Sequence, residues 1–573
     1  MCGIFALFNN LKYNQDVIKL MFMEGKNRGP ENSQLHCLED YKMYLGFHRL
    51  AINGYNDELS NQPFQINNIW LMCNGEIYNH KYLYNYLNIT PKSQSDCEVI
   101  LHLYEKYGIE YTLKLLDGVY AFVLVDFNKN KIFAARDLFG VRPLFINTFT
   151  QDDDNVTIGY ALASELKSIS GFNKFTNNVE QVTPGSLLTF DIINSLIVFN
   201  NKKQVNQVQH FCNTSRHSPV HTDYKSMLST VYYSLEEAVI KRVENTDREV
   251  ACLLSGGLDS SLVAALVKRH YKGELHTWSI GMEGSEDLKY AKIVADHIGS
   301  THHSIVVTEE EFLSYIPDVI KTIESYDTTT VRASVGNWLI SKYIKENSDA
   351  KVIFNGDGSD EVMGGYMYFY MAPNALEFDK ECVRLLKDIC YFDVLRSDRS
   401  ISSHGLEART PFLDRQFVAN YLSIHPDLRH HRQNNQCEKH IMRKSVELFG
   451  NNLLPKNVLW RTKEAFSDGV SKQTKSWYMI IQDYVNKNIY GHISKRVEEN
   501  ILSQMNPYKF NKPETLEQLY YRETFSRFYK SNSSEKIIPY FWMPKFVNAK
   551  DASARVLDIY SEVNSEVNNR VNN

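Results

Sequence analysis

The sequence predicts two domains of different fold class: an α+β domain in which helices flank two packed antiparallel sheets, and then an α/β domain on a parallel sheet. Three observations predict this division. The first part of the chain has short apolar runs separated by turn residues, typical of antiparallel strands. A polar stretch rich in Asn, Gln, His and Ser follows at about 191–222. Beyond it, apolar strands alternate with helical patterns, as in a parallel sheet with crossover helices.

Composition limits the functions that the chain can have. The 573 residues suffice for more than one well-filled core, and the net charge of −5 does not favour a nucleic-acid partner. No apolar run is long enough to span a bilayer, and no basic and then apolar leader opens the chain. Nine cysteines without Cys-x-x-Cys spacing favour reduced thiols. We therefore expect a cytoplasmic protein with small-molecule ligands and neither membrane nor nucleic-acid partners.

We divide the chain into a first domain at 2–190, a linker at 191–222, a second domain at 223–555 and a disordered polar tail at 556–573. In the first domain the apolar runs predict strands, at Met43–Ile52, Ile69–Cys73, Val119–Phe127, Lys131–Ala135 and Leu144–Asn147. The segment Asp96–Tyr107 has apolar residues at helical spacing and predicts a helix.

Cys2 stands directly before an apolar strand. Because Cys is small, we expect removal of Met1, which would leave an α-amine on the nucleophile itself. Such an amine has a reference pKa of about 7.7–8.0 and can act as a general base near neutral pH. A side-chain nucleophile served by its own terminal amine is a known arrangement. The alternative is a cysteine that only happens to be second in a buried strand.

Five further positions carry residue types that suit the binding and hydrolysis of an amino-acid amide. Arg49 can bind a carboxylate with its guanidinium fork, and Glu76 and Asp96 can accept hydrogen bonds from an α-ammonium. The Asn74 side chain and the Gly75 backbone N–H can form an oxyanion hole. Simpler interpretations remain open at this point. These are a surface ion pair for Arg49, a hairpin turn for Asn74-Gly75 and a helix cap for Asp96.

The stretch Ser255–Ser261 lies between an apolar strand at Val250–Leu254 and a helical pattern. Gly256 and Gly257 allow close backbone approach to a ligand, and the N–H groups at the helix start favour an anion. Three hydroxyl groups add donors, those of Ser255, Ser260 and Ser261. Asp259 would repel phosphate unless a cation lies between them, which indicates phosphate with Mg²⁺. No Gly-Lys-Ser/Thr follows, so this is not a Walker loop. The alternative is an ordinary strand-to-helix turn.

A second glycine loop follows a later strand of the same domain. Alternating elements are predicted, namely strand Leu275–Met282, helix Glu286–Gly299, strand Ser304–Val307 and strand Lys351–Phe354. The loop Asn355–Glu361 comes next. Since ligands bind at the carboxyl ends of parallel strands, both loops should lie at one sheet edge. Asp259 and Asp360 would then be close enough to hold Mg²⁺, unless the second loop is only an acidic turn.

The full order of motifs resembles the glutamine-hydrolysing asparagine synthetases, from Cys2 to about Arg555. Their first domain is a class II glutamine amidotransferase of the N-terminal nucleophile hydrolase type, an αββα sandwich. Their second is an ATP-pyrophosphatase domain, similar to the adenine nucleotide α-hydrolases, with added helices. The matching segments include Arg28–Ser33, His48–Ile52, Cys73–Asn79, Ser95–Glu98, Ser255–Ser261, Tyr326–Ser334, Gly356–Glu361, Gly405–Asp414 and Trp460–Val470.

The resemblance implies a reaction and assigns further residues. Glutamine would be hydrolysed at Cys2, and ammonia would pass internally to a β-aspartyl-AMP made from aspartate and ATP with release of pyrophosphate. It adds Leu50 and Ile52 to the glutamine site. It adds to the ATP site Leu254, Ile280, Asn355 and Gly356. Aspartate or pyrophosphate would contact Thr329, Arg332, Arg399 and Lys463. ATP with Mg²⁺ and no prosthetic group is implied, as is a homodimer.

Each of these assignments has an alternative. Arg332 and Arg399 could form structural salt bridges, and Lys463 could pair on the surface with Glu464. Glu407 and Arg409 are interpreted as an ion-paired structural brace in a helical region.

One catalytic position departs from the family pattern. Asp357 stands where these enzymes have Glu, and its carboxylate reaches about 1.5 Å less. A misplacement of that order can lower a rate about a hundredfold. Two alternative functions are those of a sister enzyme on the same scaffold, either a cyclase or an amidotransferase acting on another acid, and of a non-catalytic glutamine-binding protein. The presence of Cys2 argues against a cyclase. The complete set of motif residues argues against the second.

Overall fold

The computed structural model describes most of the chain. The described residues are 1–9, 13–151, 156–172, 175–207, 223–432, 434, 436–461, 463, 469–471, 476–530, 534–549 and 551–557. The predicted disorder of the tail falls almost wholly outside these residues, as does the second half of the predicted linker.

The first domain contains twelve described strands and five helices. The strands are β1 (Gly3–Phe8), β2 (Asn32–Leu38), β3 (Met43–Arg49), β4 (Phe64–Ile66), β5 (Ile69–Ile77), β6 (Gly118–Asp126), β7 (Lys131–Arg136), β8 (Phe145–Thr150), β9 (Thr157–Ala163), β10 (Thr176–Gln181), β11 (Ser186–Ile193) and β12 (Leu196–Gln204). The helices are α1 (Gln15–Met23), α2 (His80–Leu87), α3 (Val99–Tyr107), α4 (Ile109–Leu115) and α5 (Lys167–Ser170).

These strands form two antiparallel sheets that pack face to face. Their strand orders are β10-β8-β9-β1-β3-β2 and β12-β11-β7-β6-β5-β4. Alternate residues of β1, such as Ile4 and Phe8, enter the core between the sheets, whereas Phe5 and Leu7 pack outward against α1. On the far side, α2, α3 and α4 cover the outer face of the second sheet. The predicted αββα sandwich is therefore confirmed.

The predicted start of the linker at residue 191 is wrong. Residues 191–193 end β11, and β12 pairs with β11 in antiparallel fashion from Leu196 to Gln204, with one irregularity at Asn200. β12 is the edge strand of its sheet, and eight of its nine residues are exposed. A solvated edge strand has a polar composition, so its sequence resembles a linker.

The second domain has five described strands and sixteen described helices. The strands are β13 (Val250–Leu253), β14 (His276–Met282), β15 (Thr301–Val307), β16 (Val352–Phe354) and β17 (Glu407–Arg409). The helices are α6 (Tyr224–Val243), α7 (Leu258–His270), α8 (Glu286–Ile298), α9 (Glu309–Ser314), α10 (Ile316–Ile323), α11 (Thr328–Asn347), α12 (Ser359–Met363), α13 (Ala375–Asp388), α14 (Asp393–Ser402), α15 (Arg415–Leu422), α16 (Pro426–Arg429), α17 (His440–Phe449), α18 (Lys456–Leu459), α19 (Trp477–Tyr484), α20 (Lys495–Asn500) and α21 (Leu516–Phe528).

All neighbouring strands of this sheet are parallel, in the order β15-β14-β13-β16-β17. The chain moves outward from β13 in one direction and then returns to add β16 and β17 on the other side. This reversal opens a crevice beside the carboxyl ends of β13 and β16, where ligands bind in such sheets. Both predicted glycine loops begin there.

The two domains share buried contacts. Arg28 of the first domain pairs with Asp398 of α14 in two hydrogen bonds, at 2.6 and 3.1 Å, and neither side chain is exposed. The predicted brace of Glu407 and Arg409 is present at 2.7 Å. It lies in strand β17 rather than in a helical region, and Arg409 also reaches Glu76 of the first domain at 3.2 Å.

Among the described helices, none combines the length and the apolar character needed to cross a bilayer.

Two candidate active sites

Cys2 lies at the start of β1 and is held by two contacts. Its backbone N–H donates to Asn74 Oδ1 at 3.0 Å, and its Sγ donates to the carbonyl of Leu50 at 3.5 Å. Met1 is wholly buried beside it, and its amine donates to the carbonyl of Leu406 at 3.1 Å. Burial lowers the pKa of this amine to about 6 and raises the pKa of the Cys2 thiol to about 11. The amino terminus is therefore next to Asn74, as the sequence predicted.

Asn74 and Gly75 lie in the middle of β5, opposite Ala121 and Tyr120 of β6. The alternative of a hairpin turn is therefore wrong. The Asn74 Nδ2 atom is buried and has no acceptor within the described residues. A Cβ on Gly75 would lie 2.5 Å from the carbonyl oxygen of Val119, so glycine is needed for this close strand pairing. Together with the hydrogen bond to Cys2, this leaves an unused donor beside the thiol.

Arg49 ends β3 and is largely buried. Its guanidinium donates to the backbone carbonyls of Asn53 and Gly54 at 3.1 and 2.6 Å, and to Asn61 Oδ1 at 2.9 Å. Among the described residues no carboxylate forms an ion pair with Arg49, so the alternative of a surface ion pair is not observed. Arg49 lines a surface cavity together with Tyr55. Its positive charge thus remains available to a ligand carboxylate.

Glu76 and Asp96 are both buried and lie close together. Glu76 Oε2 accepts from Asn53 Nδ2 at 2.9 Å, and Asp96 Oδ2 accepts from the N–H of Ile77 at 2.6 Å. Asn245 of the second domain donates to both carboxylates. Burial and the charge of Asp96 raise the pKa of Glu76 well above its usual value. The pair is thus a buried acidic site, and the helix cap that was the alternative for Asp96 is supplied instead by Ser95.

Ile52 is buried beside this site and accepts from the N–H of Asp247 at 3.1 Å. With Leu50, it belongs to an apolar cluster that continues into the second domain. These two residues therefore lie at the boundary between the first domain and the second.

The first glycine loop joins β13 to α7 at the crevice. Gly256 has a φ of +72°, and a Cβ there would lie 2.4 Å from the Ala291 nitrogen of α8, so glycine is required. The Oγ atoms of Ser255 and Ser260 are 3.0 Å apart, and Ser255 Oγ also accepts from the N–H of Gly257 at 3.4 Å. These hydroxyl groups are gathered at the amino end of α7, as expected for an anion site.

A single cavity lies over both loops. Most of the predicted nucleotide residues line it, namely Leu254, Ser255, Gly257, Asp259, Ser260, Ile280, Asn355 and Gly356. Gly256 and Ser261 do not line it; Gly256 shapes the loop, and Ser261 is fully buried in α7. Asp357, Asp360, Thr329, Arg332 and Lys463 also line it. The sequence did not identify Trp278, Arg396, Lys439 or the segment Ala552–Ala554, which line it too.

Asp259 and Asp360 face the same cavity and are joined by two lysines. Lys463 Nζ lies 2.7 Å from Asp360 Oδ2 and 3.5 Å from Asp259 Oδ2. Lys439 Nζ lies 2.7 Å from Asp259 Oδ2 and 2.5 Å from Asp360 Oδ1. Burial alone would raise the pKa of Asp360, but the two lysines hold it well below its usual range. The two negative charges are therefore balanced by two positive charges at the mouth of the loops.

The donor set fits a magnesium ion only if a ligand supplies further oxygens. Across the described residues, no cluster of three or more His, Cys, Asp or Glu side chains is arranged to hold a metal. Mg²⁺ is, however, commonly bound by one or two carboxylates together with substrate phosphates. Asp259 and Asp360 meet that condition, and Lys439 and Lys463 would have to turn toward the phosphates.

Arg399 does not line the nucleotide cavity. Its guanidinium is buried between the domains, where Nε donates to Glu324 at 3.2 Å and Nη1 to Asp398 at 2.8 Å. This corrects the sequence prediction of an aspartate-binding residue and favours its structural alternative. Arg396, one helical turn earlier in α14, does line the cavity, and its Nη2 donates to Asp357 Oδ1 at 2.8 Å. Asp357 is thus a cavity residue, as predicted, but it is already ion-paired.

Arg332 lines the cavity but is fully engaged. Its guanidinium makes two hydrogen bonds to Glu517, at 2.8 and 2.6 Å, and two to Asp551, both at 2.8 Å. This is the salt-bridge arrangement that the sequence left open as an alternative to pyrophosphate binding. Thr329, one turn of α11 away, donates to Asp327 at 2.6 Å.

Comparison with known proteins gives one consistent result. A protein-family model described as a glutamine amidotransferase domain matches residues 1–224, and one described as asparagine synthase matches residues 230–378 and 370–539. The asparagine synthetase [glutamine-hydrolyzing] of Cricetulus griseus is 41% identical over 589 residues, which cover 98% of this chain and 99% of the relative. Those of Gallus gallus and Homo sapiens are 41% and 40% identical at the same coverage.

Proposed function

This chain belongs to the glutamine-hydrolysing asparagine synthetase family, and from that premise we propose which of its residues carry each step of the reaction. The overall reaction is the ATP-dependent synthesis of L-asparagine from L-aspartate and L-glutamine. It makes the protein a carbon–nitrogen ligase with glutamine as the amide donor. Asn74 Nδ2, the unused buried donor beside Cys2, is the observation that gives the strongest support to the glutaminase step.

The glutaminase step begins with the Cys2 thiol. After removal of Met1, the new α-amine would lie in the buried setting that lowers the pKa of the Met1 amine, and it would accept the thiol proton as the general base. The sulfur then attacks the amide carbon of glutamine, and the oxyanion takes hydrogen bonds from Asn74 Nδ2 and the N–H of Gly75. Collapse of this intermediate breaks the C–N bond and releases ammonia, and water hydrolyses the thioester.

Binding of glutamine relies on charge complementarity. Arg49 has no carboxylate partner among the described residues and meets the substrate carboxylate. Glu76 and Asp96 form the buried acidic site that accepts hydrogen bonds from the α-ammonium. Leu50 and Ile52 contribute an apolar wall at the entrance to the second domain.

The synthetase step takes place over the two glycine loops. The β-carboxylate of aspartate attacks the α-phosphorus of ATP, the bond to the bridging oxygen breaks, and pyrophosphate leaves. Lys463 and Lys439 are placed to stabilise the charge that accumulates on the phosphates. Ammonia then attacks the acyl carbon, and AMP leaves with the carboxyl oxygen. Asp357, held by Arg396, is the cavity carboxylate placed to accept a proton from the attacking ammonia.

Asp259 and Asp360 would hold Mg²⁺ together with oxygens of the triphosphate. When bound, the ion would neutralise phosphate charge and hold the triphosphate in place. No prosthetic group is needed for this chemistry. Chelation of Mg²⁺ should stop adenylate formation and leave glutamine hydrolysis intact.

We place the glutaminase domain at residues 2–204 and the synthetase domain at 223–555. We also propose that the protein is a cytoplasmic homodimer. In the described part of the chain eight cysteines form no disulfide, which suits a reducing compartment. The chain mass is 66.5 kDa, so light scattering should give about twice this value for a dimer.

Product analysis tests the proposed reaction. The purified protein is incubated with ATP, Mg²⁺, glutamine and one candidate acid at a time, and AMP, pyrophosphate and the amide product are measured. We expect asparagine and AMP in equal amounts, and only when aspartate is present. Adenylation of a different acid in preference to aspartate would contradict the proposal.

A further inference from the structure

Asn245 belongs to the synthetase domain, but its side chain lies in the glutamine site of the other domain. It follows α6 and is almost fully buried. Its Nδ2 atom lies 2.7 Å from Glu76 Oε2 and 3.1 Å from Asp96 Oδ2. Because each of these oxygens also accepts a hydrogen bond from another donor, Asn53 or the N–H of Ile77, the amide presents its NH₂ group to them. One amide group thus bridges the two carboxylates that we assign to the α-ammonium.

In each of the two carboxylates, one oxygen accepts hydrogen bonds from the described residues and the other does not. Glu76 Oε2 accepts from Asn53 and Asn245 and forms an ion pair with Arg409, and Asp96 Oδ2 accepts from the N–H of Ile77 and from Asn245. Within the described part of the chain, Glu76 Oε1 and Asp96 Oδ1 receive no hydrogen bond. One oxygen of each carboxylate is therefore fixed, and the other can face a ligand.

A neutral amide suits this position for an electrostatic reason. Two buried carboxylates repel one another, and a lysine between them would cancel the charge that a substrate ammonium must meet. The Asn245 amide donates to both without adding charge. Arg409 supplies positive charge only next to Glu76, at a distance of 3.2 Å. The site thus keeps negative charge for the ligand while its two carboxylates remain hydrogen-bonded.

The backbone of Asn245 is fixed by the synthetase domain. Its carbonyl oxygen accepts from Arg409 Nη2 at 3.0 Å, and Arg409 Nη1 donates to the carbonyl of Arg242 at 3.1 Å. Arg409 ends β17, and its own carbonyl accepts from the N–H of Asn355, which opens the second glycine loop, at 3.1 Å. The amide is therefore held by the same strand that borders the nucleotide loop.

We infer that Asn245 is a positioning residue for glutamine: supplied by the synthetase domain, it orients Glu76 and Asp96 toward the α-ammonium of the substrate. The inference rests on the proposed glutaminase function. It goes beyond that function, because it makes the glutamine site incomplete without the other domain.

The test compares two ligands that differ only in the α-ammonium. The KM for glutamine is measured in the full-length enzyme, together with the KI of 4-carbamoylbutanoate, which is glutamine without its amine, as a competitive inhibitor. Both are measured for the wild type and for Asn245→Ala. Loss of a hydrogen bond to a charged group lowers affinity by about tenfold or more. We therefore expect the KM for glutamine to rise by about tenfold, with kcat changed much less and the KI unchanged. Ammonia-dependent synthesis should also be unchanged.

Asn147→Ala is the matched control, because Asn147 is equally buried in β8 and donates to the carbonyl of Ile169 at 3.0 Å, away from the site. It should leave the ratio of KM to KI as in the wild type. If Asn245→Ala does not fold, Asn245→Ser is used, which keeps a donor for only one carboxylate. A rise in the ratio of about fivefold or more supports the inference. A smaller rise, or an equal rise in KM and KI, overturns it. A wild type that hydrolyses no glutamine contradicts the proposed function instead.

Discussion

Lys439 Nζ lies 2.5 Å from Asp360 Oδ1, and this single ion pair ties the second glycine loop to the start of α17. The same ammonium lies 2.7 Å from Asp259 of the first loop. Lys439 is almost fully buried and has a φ of +57°, a left-handed conformation that is strained by roughly 1–3 kcal/mol for a residue with a side chain. The fold therefore maintains an unfavourable backbone in order to place a second cation between the two loops.

Replacement of Lys439 by Met should abolish asparagine synthesis and leave glutamine hydrolysis intact. The change leaves two buried carboxylates with only Lys463, and loss of one partner of a buried ion pair costs about 3–5 kcal/mol of stability. Lys444→Met is the control, because Lys444 pairs with Glu447 on the exposed side of α17. Its effect on the free energy of unfolding should stay below about 1 kcal/mol. Full synthetase activity in Lys439→Met would contradict the assigned role.

Replacement of Asn74 by Ala should lower kcat for glutamine hydrolysis by about 10²–10³, the usual effect of losing one oxyanion donor. The KM for glutamine should change little, because the donor acts on the transition state. Ammonia-dependent synthesis of asparagine by the same variant is the internal control and should match the wild type. A rise in KM with unchanged kcat would show that Asn74 binds the ground state instead.

Two substitutions of Asp357 separate the effect of its negative charge from the effect of its side-chain length. Asp357→Asn removes one of the two carboxylates that pair with Arg396, and we expect asparagine formation to fall by about a hundredfold while pyrophosphate release continues. Asp357→Glu restores the residue usual in the family and should keep asparagine formation within a fewfold of the wild type. Equal losses in both variants would mean that the cavity requires the shorter side chain.

The interdomain pair of Arg28 and Asp398 predicts a specific pH dependence. Burial alone would raise the pKa of Asp398, but Arg28 lowers it to about 2, below the unfolded value of 3.8. The stability from this pair is therefore complete above about pH 4 and is lost as the pH falls through 2. By linkage it amounts to about 2 kcal/mol.

The thermal midpoint of Asp398→Asn, compared with that of the wild type at each pH, tests this prediction. The difference should be constant from pH 5 upward and should disappear toward pH 2. Asp296→Asn is the control, because Asp296 pairs with Lys292 on the exposed face of α8, where ion pairs contribute little. A difference that persists undiminished at pH 2 would contradict the assigned pKa.

Local patterns in the sequence predicted the fold and most of the site, for identifiable physical reasons. Apolar runs bounded by turns predicted both sheets, and parallel topology placed the Ser255 and Asn355 loops at one edge. The glycine pattern predicted where backbone must approach closely, as Gly256 does against α8. Each of these features is determined within a few residues of the chain.

The features that sequence analysis missed depend on contacts between distant segments. The sequence around Lys439 does not indicate its role, because its partners Asp259 and Asp360 are 180 and 79 residues away along the chain. Arg396 and Arg399 lie one turn apart on α14, and the packing of the helix decides which one lines the cavity. Asn245 gains its role from the glutamine site of the other domain. The sequence of the edge strand β12 resembles that of a linker, because exposure to solvent rather than pairing in the sheet determines which residues it contains.

The most direct test of the two-site account uses Cys2→Ala. Asparagine formation is measured for the wild type and the variant, each with glutamine and each with ammonium chloride as the nitrogen source. We predict that the variant forms no asparagine from glutamine and matches the wild type with ammonium. Loss of both activities, or asparagine formation from glutamine without the thiol, would contradict separate sites for releasing and consuming ammonia.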